Sequence, residues 1–569
     1  MEYLSLILKI IKHIVNRMVE KLERLRMHIR REETYAAWPY NRLLPVFQPP
    51  DHLDVYDIRT ASQDVQLSVT TLTGLINRQQ PKVYLLSNDD ASFWLNEVFA
   101  QVPHDISTAK DRDALDALLS VYRSSVQGLI IYDPNCIESI NVATTLAGQR
   151  DSIVVSPALA EALQGQPHHL PVAADLRIYQ WKSRVQAYSW AERNLLKDAS
   201  PNLVAGLDPK IPGALRSFLV ATRTFVYWLD ARKWLPEILN GWISERGLMQ
   251  RILSAFPAGT IHLGWFVDEG QGVRLTSKAA IPMLASDFFF NLEVWTSIQN
   301  VQGDYNAEAL GLAGASPARP PTPDKQPAPA WQPTTARQAR EPKAYVSFTI
   351  SDGDNLQYCQ HRMARLWQEP VRGRIPIGWT ISPALVQVAP TLAAYYIRTV
   401  TSNDELVAGP SGAGYMLPSN WPGEHLPAFL QLTGELMKSM NLNVIEVLDA
   451  SLGPSMAFKN PGLQEDYVKA LAPFGVRGIL SGSGQVQSNW RNVSGVPVLQ
   501  NLGLAGSVAK AVTLIRNATL QSANQASPQF LNVYILAWSM TPSDLQQVIE
   551  QLGSEYEVVT PGRLLAMIK

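Results

Sequence analysis

Two carboxylates stand two positions apart in the run Ser351-Asp352-Gly353-Asp354-Asn355. If both face one pocket they repel each other, and one of them should carry a raised pKa. Such a pair could supply an acid or a base, or hold a hard cation through oxygen ligands. The run directly follows the apolar stretch AYVSFTI, so a buried strand delivers the acids to its own C-terminal end. Other strand-like stretches end in the same way. IPIGWTI places Trp379 and then Ser382; NVIEVL places Glu446 with Asp449 beyond it; FLNVYILAW ends near Trp538. The stretch ELVAG runs into GPSGAGYMLPSNW, where Gly412 and Gly414 allow backbone shapes closed to other residues and could present Tyr415 and Trp421 to a ligand. Tyr and Trp carry an apolar ring with one polar tip, which suits the mixed faces of a sugar. Further upstream, Asp268-Glu269 follow the strand-like IHLGWFV, with Asp287 and Asn291 soon after, where acids could line an interdomain groove.

The elements that must position these residues alternate. The last 225 or so residues read as about eight strand–helix units, several strands being apolar almost throughout, as when both faces are covered. That suits a (β/α) barrel, in which sites gather at the C-terminal strand ends. The fold class expected is therefore α/β: a C-terminal barrel-like domain over 344–569, preceded by smaller α/β domains with parallel sheets. The pattern assigns one of these to 36–165 and a second region to 166–312. Residues 313–343 carry eight prolines and read as a linker or long loop. Residues 1–33 form an amphipathic helix, with apolar positions alternating four and three apart and eight Lys/Arg against five Glu. It could dock on the protein, self-associate, or lie peripherally on an anionic membrane.

Composition narrows the function. The chain has 569 residues, 46% of them hydrophobic, and 49 basic against 50 acidic side chains. No basic excess appears beyond the first helix, which argues against nucleic acid as a partner. The two cysteines, Cys136 and Cys359, exclude a disulfide framework or a CxxC knuckle, and no HExxH or HxxxH occurs. No GxGxxG opens a helix, so no dinucleotide site is expected. No signal peptide is readable, and the uncharged runs 375–397 and 517–543 are broken by prolines or polar residues. The sequence alone thus fits a cytoplasmic or peripheral membrane location.

The stretch GAGYMLP resembles the signature of the GxGYxYP family, whose members are regarded as glycoside hydrolases by inference. YVSFTISDGDN is similar to the start of that family's C-terminal domain. LLPVF, LTGLINRQQPKVYLL, GWFVDEGQGV and SDFFFN resemble its N-terminal modules. Leu417 stands where the signature has its second tyrosine. The resemblance implies carbohydrate processing, often outside the cytoplasm.

The expected chemistry is hydrolysis of an oligo- or polysaccharide, which needs two carboxyls flanking the scissile bond. One strand end cannot supply both flanks. Asp352 or Asp354 is therefore expected to act with Asp449 first, and with Glu446, Asp268 or Glu269 in reserve. Asn355, Gly412, Gly414, Tyr415, Trp421, Trp379 and Trp538 are the expected substrate contacts, with Asp268 and Glu269. No cofactor is expected, although oxygen ligands could hold a divalent cation. The competing readings are a metal-assisted, deacetylase-like hydrolase, a glycan-binding protein without turnover, and a scaffold assembled through the first helix.

Overall fold

The computed structural model describes residues 42–234, 243–299, 344–353, 355–449, 456–485, 489–521 and 528–568. Asp354, the segment 1–33 and the proline-rich segment 313–343 lie outside them.

Three small parallel sheets precede the barrel. The first holds β1 (Leu53–Asp57), β2 (Val83–Leu86) and β3 (His104–Lys110), in the order β2-β1-β3. The second holds β4 (Gly128–Ile131), β5 (Ser152–Val155) and β6 (Val172–Asp175), in the order β5-β4-β6. The third holds β7 (Leu203–Gly206), β8 (Phe225–Tyr227), β9 (Ile261–Gly264) and β10 (Met283–Ala285), in the order β10-β9-β7-β8. Most of these strands are short apolar runs buried along their whole length. Side-chain caps start the helices between them: Ser62 accepts from the Val65 amide, and Ser156, followed by Pro157, from that of Leu159.

The sheets divide the N-terminal half into three modules where the hydrophobic pattern gave two. The expected boundary at 165/166 would cut β6 from β4, its partner in the second sheet. β6 escapes the pattern because VAAD is an edge strand with no apolar run and two exposed residues.

The C-terminal region closes into a parallel barrel. Its strands are β11 (Ala344–Ile350), β12 (Ile377–Ile381), β13 (Asp404–Ala408), β14 (Val444–Val447), β15 (Gly478–Gln485), β17 (Val496–Ala505) and β18 (Gln529–Ile535). Each pairs with the next, and β18 pairs with β11 to close the ring. Seven strands close it. Of the two remaining, β16 (Trp490–Val493) runs antiparallel beside β17. β19 (Tyr556–Val558) pairs only with Ala344–Val346, below the point where Thr349 and Ile350 meet β12.

The barrel interior is layered. At the N-terminal end, Leu564, Leu565 and Ile568 from the last helix and its end pack on Val407, Val444, Leu480 and Leu499 and plug the mouth. Higher up lies a buried polar layer. Asn532 accepts from Ser347 (2.6 Å) and Thr349 (2.9 Å) and donates to Asn501 (2.8 Å). Glu446 accepts from Tyr534 at 3.2 Å.

The modules are fastened to the barrel by buried polar contacts. Asp90 of the first module meets His361 Nδ1 at 2.8 Å and both Nε and Nη2 of Arg365. Burial pushes the Asp90 carboxyl up, but His361 and Arg365 outweigh that and hold it below the ordinary value. Asp90→Ala should therefore cost roughly 2–3 kcal/mol of stability in urea titrations near neutral pH. Because the folded pKa is depressed, that contribution is present above the unfolded pKa and fades as pH falls through the folded one. A loss unchanged at pH about 2 would disprove the ionic origin.

Candidate active site

β11 ends at Ile350, and after Ser351 the chain turns sharply. Asp352 adopts the left-handed region at φ 71. Gly353 presses against the Thr380–Ile381 backbone of β12, where a Cβ has no room, and its amide donates to Thr380 Oγ1 at 2.8 Å. The strained aspartate is thus held from both sides. Its carboxyl hydrogen-bonds Trp538, while Oδ2 is buried with no partner. Burial and the charge of Glu269 push its pKa up to about 6.

Glu269 comes from the third module, near enough for its charge to act on Asp352. It opens the helix Glu269–Lys278 of the third module, capped by Asp268, whose Oδ1 accepts from the Gln271 amide at 2.9 Å. Glu269 is reached by solvent yet surrounded by protein, and this recess raises its carboxyl pKa. Tyr415 opposes the rise by donating its phenol to Oε1 at 3.0 Å, while Asp268 adds to it.

The GAGYMLP loop makes this meeting possible. Tyr415 exchanges both backbone hydrogen bonds with Met283 of β10, at 2.8 and 3.1 Å. Gly414 lies so close to β10 that a Cβ would stand 3.0 Å from Pro282 Cβ. Gly412, at φ 134, packs on Thr433. Two residues beyond Met283, Ala285 bridges to Asn355. β10 is therefore clasped between the two barrel loops that carry Tyr415 and Asp352. Leu417 donates its amide to Ser277 Oγ at 2.9 Å and is buried in the core that it shares with the N-terminal modules.

The structure brings Asp352, Glu269, Asp268, Tyr415 and Trp538 together where the barrel meets the third module. Trp538 is the exposed ring there, at 53%. Other expected residues have different work. Asp449 is buried and accepts from both the amide (2.9 Å) and the hydroxyl of Ser419, tying down the loop after Tyr415. Glu446 lies inside the barrel, in the polar layer. Trp379 is fully buried, edge-on to Trp367 and bonded to Asp404 at 2.9 Å. Trp421 packs against Phe429 in the core. Asn355 spends its side chain capping the helix Leu356–Gln360. Tyr415 itself is only 2% exposed, so its ring offers no face to a ligand and its phenol acts through Glu269. Gly412 and Gly414 serve packing. Asp354 is not described.

Sequence reasoning passed over Asp208, Gln357 and Phe288, and named Asp287 only among acids that could line an interdomain groove. Asp287 is buried two residues past Ala285, near Gln357, and burial lifts its carboxyl pKa to about 6. Phe288 beside it is 47% exposed and donates its amide to Gln357 Oε1 at 2.5 Å. Phe288 sits in the apolar run FFF, where nothing in the sequence marks one ring as exposed. Among the described residues no group of three or more His, Cys, Asp or Glu is placed to hold a metal. Nor is any described helix long and apolar enough to cross a membrane.

The fold defines a class: a closed parallel barrel preceded by three small α/β modules with parallel sheets. The chain belongs to the GxGYxYP family. Residues 342–569 match the "GxGYxYP putative glycoside hydrolase C-terminal domain", and residues 52–124, 126–199 and 201–297 match the family's first, second and third N-terminal domains. The three sheets coincide with these three domains. Among solved structures, a "putative hydrolase" from Bacteroides thetaiotaomicron is 22% identical over 92% of this chain and 96% of its own, with a TM-score of 0.73, which establishes the shared fold. A "putative polysaccharide deacetylase" from Mycobacterium smegmatis aligns with 41% of this chain and 92% of its own at 11% identity and a TM-score of 0.29, too low to bear on the fold. No curated protein matches the chain.

Proposed function

We propose that the chain hydrolyses glycosidic bonds of an oligo- or polysaccharide in the cleft between barrel and third module, with Asp352 and Glu269 as the acting pair. The observation that carries the reading is that Glu269, held by the Tyr415 phenol, lies close enough to Asp352 for its charge to raise the Asp352 pKa. Hydrolysis needs one carboxyl protonated and one ionised on the two sides of the bond. Asp352, buried with an unpartnered oxygen, is the group that keeps a proton near pH 6 and gives it to the leaving oxygen. Glu269 receives a donated hydrogen bond that favours its ionised form, so it serves as nucleophile or base. The two titrate as a coupled pair, so activity should follow a bell with its alkaline limb near Asp352's value of about 6. The exposed ring of Trp538 beside Asp352 offers a stacking face for a sugar.

Turnover of a panel of aryl glycosides tests the reading, and Tyr415→Phe sharpens it. Loss of the phenol donor should raise the Glu269 pKa, move the acid limb upward and lower kcat/KM by roughly 10–100-fold. An unshifted limb would separate Tyr415 from catalysis. Binding without turnover across the panel would make the chain a glycan-binding protein.

A further inference from the structure

We infer that the second module carries a glycan-binding platform of its own, built on the ring of Tyr179 and separate from the site at Asp352. The choice of a glycan as ligand deepens the hydrolase reading and rests on it. Tyr179 ends the short 3-10 helix Leu176–Tyr179, which follows the edge strand β6. Its ring lies parallel to that of Trp181, with 5° between the planes and 4.9 Å between the centroids. Trp190, from the helix Arg184–Leu195, meets Tyr179 at 4.7 Å and stands 5.5 Å from Trp181. Rings on opposite faces of Tyr179 would stand farther apart than that. Both tryptophans therefore back the tyrosine from one side, and its other face is covered by neither.

The exposures agree with this arrangement. Trp181 is only 7% exposed and Trp190 is half-buried, whereas Tyr179 is 40% exposed and Ile178 beside it 71%. A single exposed apolar side chain means little, but a ring braced by two others next to an exposed isoleucine is a preformed contact surface. Its rotamer is already fixed, so little freedom is lost when a ligand arrives.

The rim defines the ligand's chemistry. Arg177, on the same short helix, is clamped by the Asp175 carboxylate through Nε at 2.9 Å and Nη2 at 2.6 Å, and its amide donates to the same group at 3.1 Å. These donors hold the Asp175 carboxyl below its ordinary value. The clamp sets a planar array of donors and acceptors near the ring, with Nη1 outside it. A pyranose matches this pairing, with C–H groups on a face for the ring and hydroxyls at its edge for the fork. A wholly apolar partner would desolvate the ion pair without replacing its water. Two apolar side chains also fall well short of the roughly 800 Å² per partner that a stable protein interface buries. Standing on a different module from Asp352, the platform holds a polymer rather than the reacting unit, and so raises the local concentration of chain at the site.

Affinity electrophoresis of the full chain through gels containing soluble β-glucan, xylan, mannan or galactan reads binding without turnover. At least one of these polymers should retard the chain. Tyr179→Ala should weaken that binding about fivefold or more, and Tyr179→Phe should hold it within about twofold, because the ring makes the face. Arg177→Ala should weaken it about two- to fivefold, and carries the test if circular dichroism shows that Tyr179→Ala fails to fold. Activity of all three variants on small aryl glycosides should stay within about twofold of wild type. Retardation by none of the four polymers, or retardation unchanged in both Tyr179→Ala and Arg177→Ala, overturns the platform. So does a fall in the mass of the chain by light scattering in Tyr179→Ala, which would make the face a contact between copies. Polymer binding that Tyr179→Ala removes from a chain without glycosidase activity would keep the platform and defeat the hydrolase reading. Aryl glycoside turnover without polymer binding would do the reverse.

Discussion

Glu269→Gln should lower kcat/KM on aryl glycosides by roughly 10³–10⁴-fold while leaving the folded structure unchanged. The asymmetry follows from geometry. Glutamine can still accept the Tyr415 phenol, and the position is reached by solvent, so no buried group is orphaned. What disappears is the ionised carboxylate that attacks the sugar or activates water. The same substitution removes the charge that helps to push Asp352 upward, so any residual activity should show an alkaline limb displaced toward lower pH. Steady-state kinetics across pH, with thermal melts as the folding control, read both effects. Wild-type activity in the variant would end the assignment of Glu269.

Asp352→Asn is the second large effect, and it moves stability and activity in opposite directions. Asparagine tolerates the left-handed backbone at φ 71 as well as aspartate does and carries no charge into the buried site. The Asp352 carboxyl stands at about 6 in the folded protein against an ordinary 3.8. Its folded pKa is thus raised, so the folded chain binds the proton more tightly than the unfolded one. The charge costs nothing below about pH 4, where both states are protonated, and the cost is complete above about pH 6. The variant should therefore be more stable by roughly 1–3 kcal/mol at pH 7.5 and gain nothing at pH 4. Its turnover should fall by about 10²–10⁴-fold on substrates with poor leaving groups, and much less on activated aryl glycosides that need no proton. Urea titrations at the two pH values, beside kinetics on the two substrate types, decide it. A variant that is destabilised at pH 7.5 would show that the ionised carboxylate supports the fold.

The apolar strands of the C-terminal half are legible one by one, because both faces of each are covered and the runs are unbroken. Their closure is less so. YEVVT reads like an eighth barrel strand, yet β19 pairs only with the first three residues of β11, and the ring shuts with seven. Asp352 is legible from its strand end. Its partner is harder to see: Asp449 sits on a neighbouring strand end and looks the better match, but both its oxygens are taken by Ser419. Glu269 is brought in by pairing between Tyr415 and Met283, 132 positions apart, and no local pattern announces an isolated bridge of that span. Tryptophans mislead for the opposite reason. Trp379 and Trp538 both stand at strand ends, and only the neighbours decide that one fills the core and the other meets solvent.

The clasp of β10 by the two barrel loops has an evolutionary corollary. Half of the proposed acting pair is encoded more than eighty codons upstream of the other half, in a separate module, and the contact that unites them is largely main chain to main chain. Backbone pairing is indifferent to most side-chain replacements. Lineages could therefore exchange or diversify the upstream unit, retune which ligand is accepted, and still recover a working junction. Divergence in preference among relatives should track that unit more closely than the ring of strands beneath it.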